Sequence, residues 1–407
     1  MENNERKPVN IFNISRILPL YKDGNEAEKI ELIQLREVGF EIVSQKGLYK
    51  VGDKAIYIQP DYCLPDDIEL FQSFTAPGGD PNKSKLGKNN RIRALKFNFT
   101  KSESSEPIYS MGILIPFYEV KSFLGDTPIF EDTLTELLKV IKYEEPEAGK
   151  IGQQKGDIPL GMYKTDEDNF ENYKYKIEYP QRFIGTLKVD GSSITVYVKN
   201  EEEYGICSRT FEKKLNQDII IGYSNIQGDK LRKHYDRETL QQGWLNERTL
   251  DFYVEVPEDF QPIMGVTEDS WVKLGSPILE KLLTFYKETG RPLVARGEIF
   301  GEGLKGSGNK NNPHSKLKQG ILIYGLDDYT TGITRKIPMD EVLEICKYIK
   351  IDTVPVIFNK TFNYEKELRD KCNNYFKENM VEGIVIRSWK DTKISTKFMN
   401  PIYDSSK

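Results

Sequence analysis

Lys188 stands in "IGTLKVDGSSITVYVK" (184–199), at the end of an apolar run and two residues ahead of an Asp190-Gly191 pair. A lysine aimed by a strand is a candidate nucleophile. At an ordinary pKa of about 10.4 its amine is almost wholly protonated at neutral pH, so a site using it must favour the neutral form. Other ionisable residues also sit in or beside apolar strands. Glu298 lies in "ARGEIFGEG", Glu382 in "VEGIVIRS", Arg209 in "ICSRT", and Lys393 and Lys397 in "KISTKFMNPIY". Burying an unpaired carboxylate is costly, so together these residues point to a shared, purposeful site. With only His234 and His314 in the chain, a histidine-held metal or a Ser-His triad is disfavoured. Catalysis then falls to Lys, Arg, Asp and Glu, with a hard cation.

Each feature has a plainer reading. A Lys-x-Asp-Gly tetrapeptide arises by chance in roughly one chain in ten of this length. "YKDGN" (21–25) is a decoy of the same kind, with no chemistry beside it. On this reading Lys188 is a surface lysine beside a β-hairpin whose Asp-Gly turn takes φ > 0, and the other charges are solvated or form structural ion pairs. "GEGLKG" (301–306) formally matches GxGxxG, but "SGNKNNPHSK" follows it in place of the helix a dinucleotide site requires. It reads as a loop beside Glu298.

The elements that must position these residues fall into two sets. "KIELIQL", "FEIVSQ", "KAIYIQP", "RIRALKFNF" and "MGILIPF" read as short strands of a small barrel or sandwich. An amphipathic helix follows, with Leu134, Leu137, Leu138 and Ile141 on one stripe, Asp132 or Thr133 as its cap, and Pro146 past its end. The polar stretch 144–157 is the linker. Beyond it, a helix opens at Ser276-Pro277 and stops at Gly290. "PLVARGEIF", "GILIYGLDD" and "EGIVIRS" read as strands, and "PMDEVLEICKYIK" and "YEKELRDKCNNYFKENM" as helices.

At 407 residues the chain exceeds one compact core and predicts two domains. No run approaches the ~18 apolar residues of a membrane span, and "MENNERKPVN" does not read as a secretory signal. Cys63, Cys207, Cys346 and Cys372 are scattered without a CxxC pair, which argues for a reducing compartment and against structural zinc. A net charge of −5 argues against non-specific coating of nucleic acid, yet "KSKLGKNNRIRALK" (83–96) is a basic patch without an acid.

The order K-x-D-G, S-R, G-E, an aromatic-bearing strand, E-G-I-V and a lysine-rich last strand resembles the covalent nucleotidyltransferases, the superfamily of polynucleotide ligases and mRNA capping enzymes. By that resemblance Lys188 belongs to motif I, Arg209 to motif Ia, Glu298 to motif III, Tyr324 to motif IIIa, Glu382 to motif IV and Lys397 to motif V. "TDEDNFENY" (165–173) is similar to a segment that precedes motif I in RNA ligases. Ligases and capping enzymes with a C-terminal OB domain need far more than the ten residues after Lys397. The segments "NISRILPL", "KIELIQL", "KVGDKAIYIQPD", "NRIRALKF" and "MGILIPF" look instead like the OB module of RNA ligases that carry it at the N-terminus. The chain departs from the pattern twice. Ser395 replaces the first motif V lysine, with Lys393 four residues before Lys397, and motif IIIa reads Leu326-Asp327 where Phe-Asp is common.

The resemblance implies an α+β fold: an N-terminal OB-like β-barrel domain over 1–145, then a nucleotidyltransferase domain of mainly antiparallel sheets flanked by helices over 158–407. It implies an ATP-dependent RNA ligase joining 3′-OH and 5′-phosphate ends, with AMP carried on Lys188 and then on the RNA 5′ end. Glu298 and Glu382 would hold Mg²⁺, with Mn²⁺ able to substitute. Asp190, Gly191, Arg209, Tyr324, Lys393 and Lys397 would contact the nucleotide, and Lys88, Arg91 and Arg93 RNA or pyrophosphate. The expected partner is RNA, as a nicked duplex, met by an intracellular, cytoplasmic monomer with no membrane. The competing readings are a capping-type guanylyltransferase and a non-catalytic RNA-binding protein that kept the fold.

Overall fold

The computed structural model describes residues 7–101, 106–143, 154–215, 218–236, 241–266, 269–304, 311–389 and 391–406. Most of the linker expected over 144–157 lies outside these, as do Lys305 and Gly306 of the glycine-rich stretch. Residues 301–304 form a turn in which the Glu302 N–H bonds to the Leu317 carbonyl.

The fold is mixed α+β and mostly antiparallel, as expected. Near the N-terminus a single long strand, Val9–Lys22, joins two sets of partners. Its first half pairs with Lys54–Ile58 and its second half with Asn25–Leu35. Glu41–Gln45 and Ile113–Pro116 form the two edges of the resulting five-stranded sheet. The Met111 N–H bonds to the Glu41 carbonyl at 3.0 Å, so the two edges approach and the sheet curls into a half-barrel. Apolar residues that alternate with polar ones, such as Ile14, Ile33, Ile42 and Tyr57, fill its inside.

Two expectations fail here. The helix expected from the 134–141 stripe is one turn long, Leu134–Leu137, and an eight-residue helix, Phe117–Leu124, comes before it. Lys139 then takes a left-handed φ of 50°, and Ile141–Lys142 leaves the helix to pair with Tyr62–Cys63. "RIRALKFNF" gives only the short strand Leu95–Phe97, paired with Ile108–Ser110.

The rest of the chain builds two further large sheets that carry the candidate site. One has the order Asp168–Asn169, Ser395–Met399, Gly383–Ser388, Gln181–Lys188, Val356–Phe362. The other has seven strands, among them Phe211–Lys213, Tyr204–Cys207, Ser192–Val198, Leu293–Phe300 and Gly320–Asp328 in neighbouring positions. The helix expected from Ser276 begins earlier and runs from Ser270 to Thr289. The Asp269 carboxylate caps it by accepting from the N–H groups of Trp271 and Val272, and Pro277 lies inside it. Gly290, at φ 67°, ends it as expected. The helices Met339–Tyr348 and Glu365–Glu378 fall where their periodicity put them. A separate antiparallel sheet, within 218–266, is inserted between Lys213 and Asp269.

Candidate active site

Lys188 ends a strand of one sheet, and Ser192 starts a strand of the other. Val189, Asp190 and Gly191 therefore carry the chain between sheets, and the expected hairpin is absent. Lys188 pairs with Gly383, while Ser193 pairs with Glu298. The Asp-Gly hairpin with positive φ is the decoy: Asp23 (52°) and Gly24 (81°) turn the chain between the paired residues Lys22 and Asn25. Glycine is required at 191 for space. A Cβ there would overlap the carbonyl oxygen of Ile299 and stand 3.0 Å from Cγ of Glu298.

This crossing gathers the charged groups. The Lys188 ammonium donates to Oε2 of Glu382 at 2.5 Å; the Glu382 side chain is 7% exposed and that of Lys188 27%. Asp190 accepts a 2.7 Å hydrogen bond from the Tyr403 hydroxyl. The Gly191 backbone N–H favours the charged form of the Glu298 carboxyl. Burial pushes the Glu298 carboxyl up to about 8; Lys188 pulls against this, while the negative Glu382 and Asp190 add to the rise.

Strand pairing extends the site into two facing walls. Lys188, Thr186 and Ile184 lie opposite Gly383, Val385 and Arg387, and these lie opposite Met399, Lys397 and Ser395 in turn. Directly paired residues share a face, so Lys188, Thr186, Arg387 and Lys397 look the same way. On the other sheet, Arg296 and Glu298 alternate along one strand. Tyr324 sits at a bulge, where Arg296 pairs with Gly325 and Gly297 with Ile323; such an extra residue re-aims its side chain. The Tyr324 hydroxyl is 2.8 Å from Oγ1 of Thr165.

Thr165, Glu167, Arg296, Tyr324, Lys336 and Arg387 line a recess between the walls. Glu167 lies 3.2 Å from Lys336 and 3.9 Å from Arg387. Burial would raise its carboxyl, but the two cations outweigh burial and hold it below the usual range. Arg296 donates to Asp327 at 2.8 Å and to the Thr195 hydroxyl at 3.1 Å.

The remaining residues singled out from sequence are spread around this centre. Lys397 lies 3.5 Å from Asp166, which also takes Lys142 from the N-terminal region. Lys393 is exposed on the turn before the last strand, and its backbone N–H donates to the Asp391 carboxylate at 2.9 Å. Arg209 is half-exposed, on the turn joining Tyr204–Cys207 to Phe211–Lys213. Lys88 is exposed and Arg93 half-buried. Arg91 is held by Asp61 at 2.5 Å, with its guanidinium over the Tyr143 ring.

Among the described residues, no three of His, Cys, Asp and Glu converge on one point. A Mg²⁺ ion that keeps most of its waters needs only one or two carboxylates. Glu298 and Glu382 fit it, because Lys188 alone does not offset the burial of a carboxyl raised to about 8, and a dication supplies further positive charge.

Glu167, Arg296, Arg387, Lys336 and Tyr403 were not singled out from sequence. A period-2 reading reaches Arg296, two residues before Glu298, and Arg387, four after the Gly383 that pairs with Lys188. Glu167 lies within "TDEDNFENY" (165–173), the segment likened above to one before motif I, but no single residue of it was given a role. Its neighbour Asp168 joins the site by parallel pairing with Thr396, far along the chain.

Two largely antiparallel sheets meeting at a lysine place the molecule among mixed α+β proteins with a known counterpart fold. A mutant of Naegleria gruberi RNA ligase with AMP and Mn is similar over 98% of this chain and 98% of that one, with TM-score 0.67 and 20% identity. A mutant of the same enzyme with ATP and Mn gives 0.66 and 21% over 98% of each chain. The enzyme with PPi also gives 0.66 and 21%, over 98% of each chain. No curated protein sequence matches the chain. The RNA ligase family profile matches residues 181–400, more than half of the chain, and the chain belongs to that family. No helix among the described residues is long and apolar enough to cross a membrane.

Proposed function

We propose that this RNA ligase family member uses ATP to join an RNA 3′-OH to a 5′-phosphate, with AMP carried first on Lys188. The observation that carries the reading is the Lys188–Glu382 contact at 2.5 Å beside a Glu298 carboxyl raised to about 8. A strand-end lysine between two carboxylates suits an amine that must approach a metal-bound phosphate. The Naegleria gruberi enzyme, whose structures carry ATP or AMP with Mn, supports the choice of nucleotide and of a divalent ion.

With nucleotide absent, Glu382 holds Lys188 as a cation. With a divalent ion held by Glu298 and Glu382, that counter-charge would be taken up, and the Lys188 amine would then lose its proton more readily. The neutral amine attacks the α-phosphorus, a P–N bond forms and pyrophosphate leaves. Bound at Glu298 and Glu382, Mg²⁺ would neutralise charge building on the phosphate oxygens. Lys397 contacts the α-phosphate, and Tyr324 offers its ring to the base. The adenylyl group then passes to an RNA 5′-phosphate, and the 3′-OH attacks that activated phosphate to release AMP.

Residues 1–145 act as an OB-like RNA-binding domain and 158–407 as the adenylyltransferase domain. This division is supported by buried clusters confined to one segment or the other. Exposed Lys88, with Arg93, offers charge to a nicked duplex, Arg209 is placed for ribose or the RNA strand, and the protein acts as a monomer. Four buried free cysteines fit a reducing, intracellular setting.

The test is incubation with α-labelled ATP or, separately, GTP, with Mg²⁺, followed by a denaturing gel of wild type and Lys188→Ala. Label from ATP on wild type alone is expected. Label from GTP would make the enzyme a capping-type guanylyltransferase, and no label on folded protein would leave an RNA-binding protein.

A further inference from the structure

The inserted sheet within 218–266 has no assigned role. Its strands run in the order Phe252–Tyr253, Gln241–Asn246, Lys230–Asp236, Asp218–Ser224, Gln261–Val266. Direct pairing aligns Phe252, Leu245, Arg232, Gly222 and Ile263 across the sheet, so they share one face. Lys230 and His234 flank Arg232 on that face by alternation. The His234 ring meets the Phe252 ring edge-on at 6.1 Å between centroids. Phe252 lies against Gly243, where a Cβ would come 2.5 Å from the ring. Tyr223, Leu231, Trp244 and Tyr253 occupy the opposite face, with Tyr223 and Trp244 in edge-to-face contact.

The first face carries charge and stacking surface that the fold does not use. Lys230 and Arg232 are exposed, and neither makes an ion pair among the described residues. Phe252, His234, Leu245 and Ile263 are half-exposed. Among the described residues, none of the hydrophobic clusters of the body includes a residue of this sheet. Asp236 lies at one end of the cationic row, and Glu247, whose N–H donates to the Lys230 carbonyl at 2.9 Å, at the other. Both ends of the insert are anchored beside the candidate site. Lys213 pairs with Asp269 at 3.4 Å, and the Trp271 indole donates to the Ser193 carbonyl at 2.9 Å, Ser193 being the strand partner of Glu298.

We infer that this face is a platform for an unpaired stretch of RNA near the break to be sealed. Bases would stack on Phe252 and His234, and phosphates would run along Lys230 and Arg232. A cationic row beside open aromatic rings on a sheet complements a single strand, whose bases are free to stack. A duplex would offer its phosphates but not its base faces. The inference rests on the RNA ligase reading for its choice of RNA.

The experiment measures binding of a fluorescent single-stranded RNA 20-mer by anisotropy over a salt series. It compares wild type, Lys230→Gln/Arg232→Gln and Phe252→Ala, with thermal unfolding to confirm the fold. Adenylation of Lys188 from ATP without RNA is measured on the same samples. The double variant should bind at least tenfold more weakly, and its log K against log[salt] slope should fall by about 1.4, which is about 0.7 per charge removed. Phe252→Ala should lose roughly tenfold with the slope unchanged. Adenylation should be unaffected throughout. If Phe252→Ala unfolds, the double variant decides, because its substitutions are exposed. RNA affinity within twofold of wild type with an unchanged salt slope would overturn the platform while leaving the enzyme reading intact, and the face would then belong to another partner. A wild type that never takes label would overturn the enzyme reading, and the anisotropy series would still decide the platform.

Discussion

The hydroxyl of Tyr403 donates a 2.7 Å hydrogen bond to Oδ2 of Asp190, tying the last helix to the crossing that aims Lys188. The Tyr403 side chain is fully buried, and the next residue, Asp404, accepts from the Ala94 N–H at 3.0 Å. One short helix, Pro401–Asp404, thus bridges the Lys188 crossing and the basic 83–96 segment.

Tyr403→Phe keeps the packed ring and deletes only the donor. A hydrogen bond to a charged group is worth about 1.5–3 kcal/mol, so the adenylation rate should fall by roughly tenfold or more, with KM for ATP little changed. Single-turnover labelling with ATP measures it. An unchanged rate would mean that Asp190 holds its place without the tyrosine.

The Glu298 carboxyl, raised to about 8 from an ordinary 4.5, gives two pH trends of opposite sign. In metal-free protein the folded state prefers the protonated group. Its contribution to stability is complete below pH 4.5 and is lost as pH rises through 8. Mg²⁺ requires the carboxylate, so its affinity should rise up to tenfold per pH unit until about pH 8. Melting curves in chelator and Mg²⁺ titrations of adenylation, from about pH 6 to 9, should show the two trends, and Glu298→Gln should flatten both. Parallel trends in wild type and variant would assign the titration to another group.

Strands read from apolar runs, such as Ser192–Val198 and Leu293–Phe300, were legible from sequence, as was the placing of Lys188, Glu298 and Glu382 in or beside apolar strands. The sheet each strand would join was not. Lys-x-Asp-Gly at 188–191 and Lys-Asp-Gly at 22–24 look alike locally, yet one crosses between sheets and the other turns a hairpin. The difference lies in tertiary space, since Gly191 sits against Ile299 and Glu298 whereas Gly24 faces open space. The segment holding Glu167 was noticed, but its place in the site was not, because the adjoining strand Asp168–Asn169 pairs in parallel with one more than 200 residues away. The apolar stripe at 134–141 misled because Ile141 belongs to a strand and is 65% exposed.

Gly191→Ala tests that crowding. Its φ is not positive, so backbone strain is not the issue; the added methyl must displace the Ile299 carbonyl or the Glu298 side chain. Overpacking of this kind costs about 1–3 kcal/mol, and moving Glu298 should reduce adenylation by more than tenfold. Urea unfolding and labelling together would show both losses. A variant with wild-type activity would mean that Glu298 tolerates displacement.

Arg296 and Asp327 form an ion pair with side chains only 4% and 7% exposed. Removing one partner of such a pair costs about 3–5 kcal/mol, because the other charge is left buried. Asp327→Ala should therefore lower the urea midpoint strongly. Replacing both residues with apolar ones of similar volume, Arg296→Met with Asp327→Leu, should recover most of that stability. It should not recover function, since Arg296 lines the recess two residues before Glu298 and also holds the Thr195 hydroxyl. The double variant should fold and bind ATP several-fold more weakly, seen as a raised KM in the labelling assay. Regained stability with an unchanged KM would place Arg296 in the scaffold alone, beyond the nucleotide's reach.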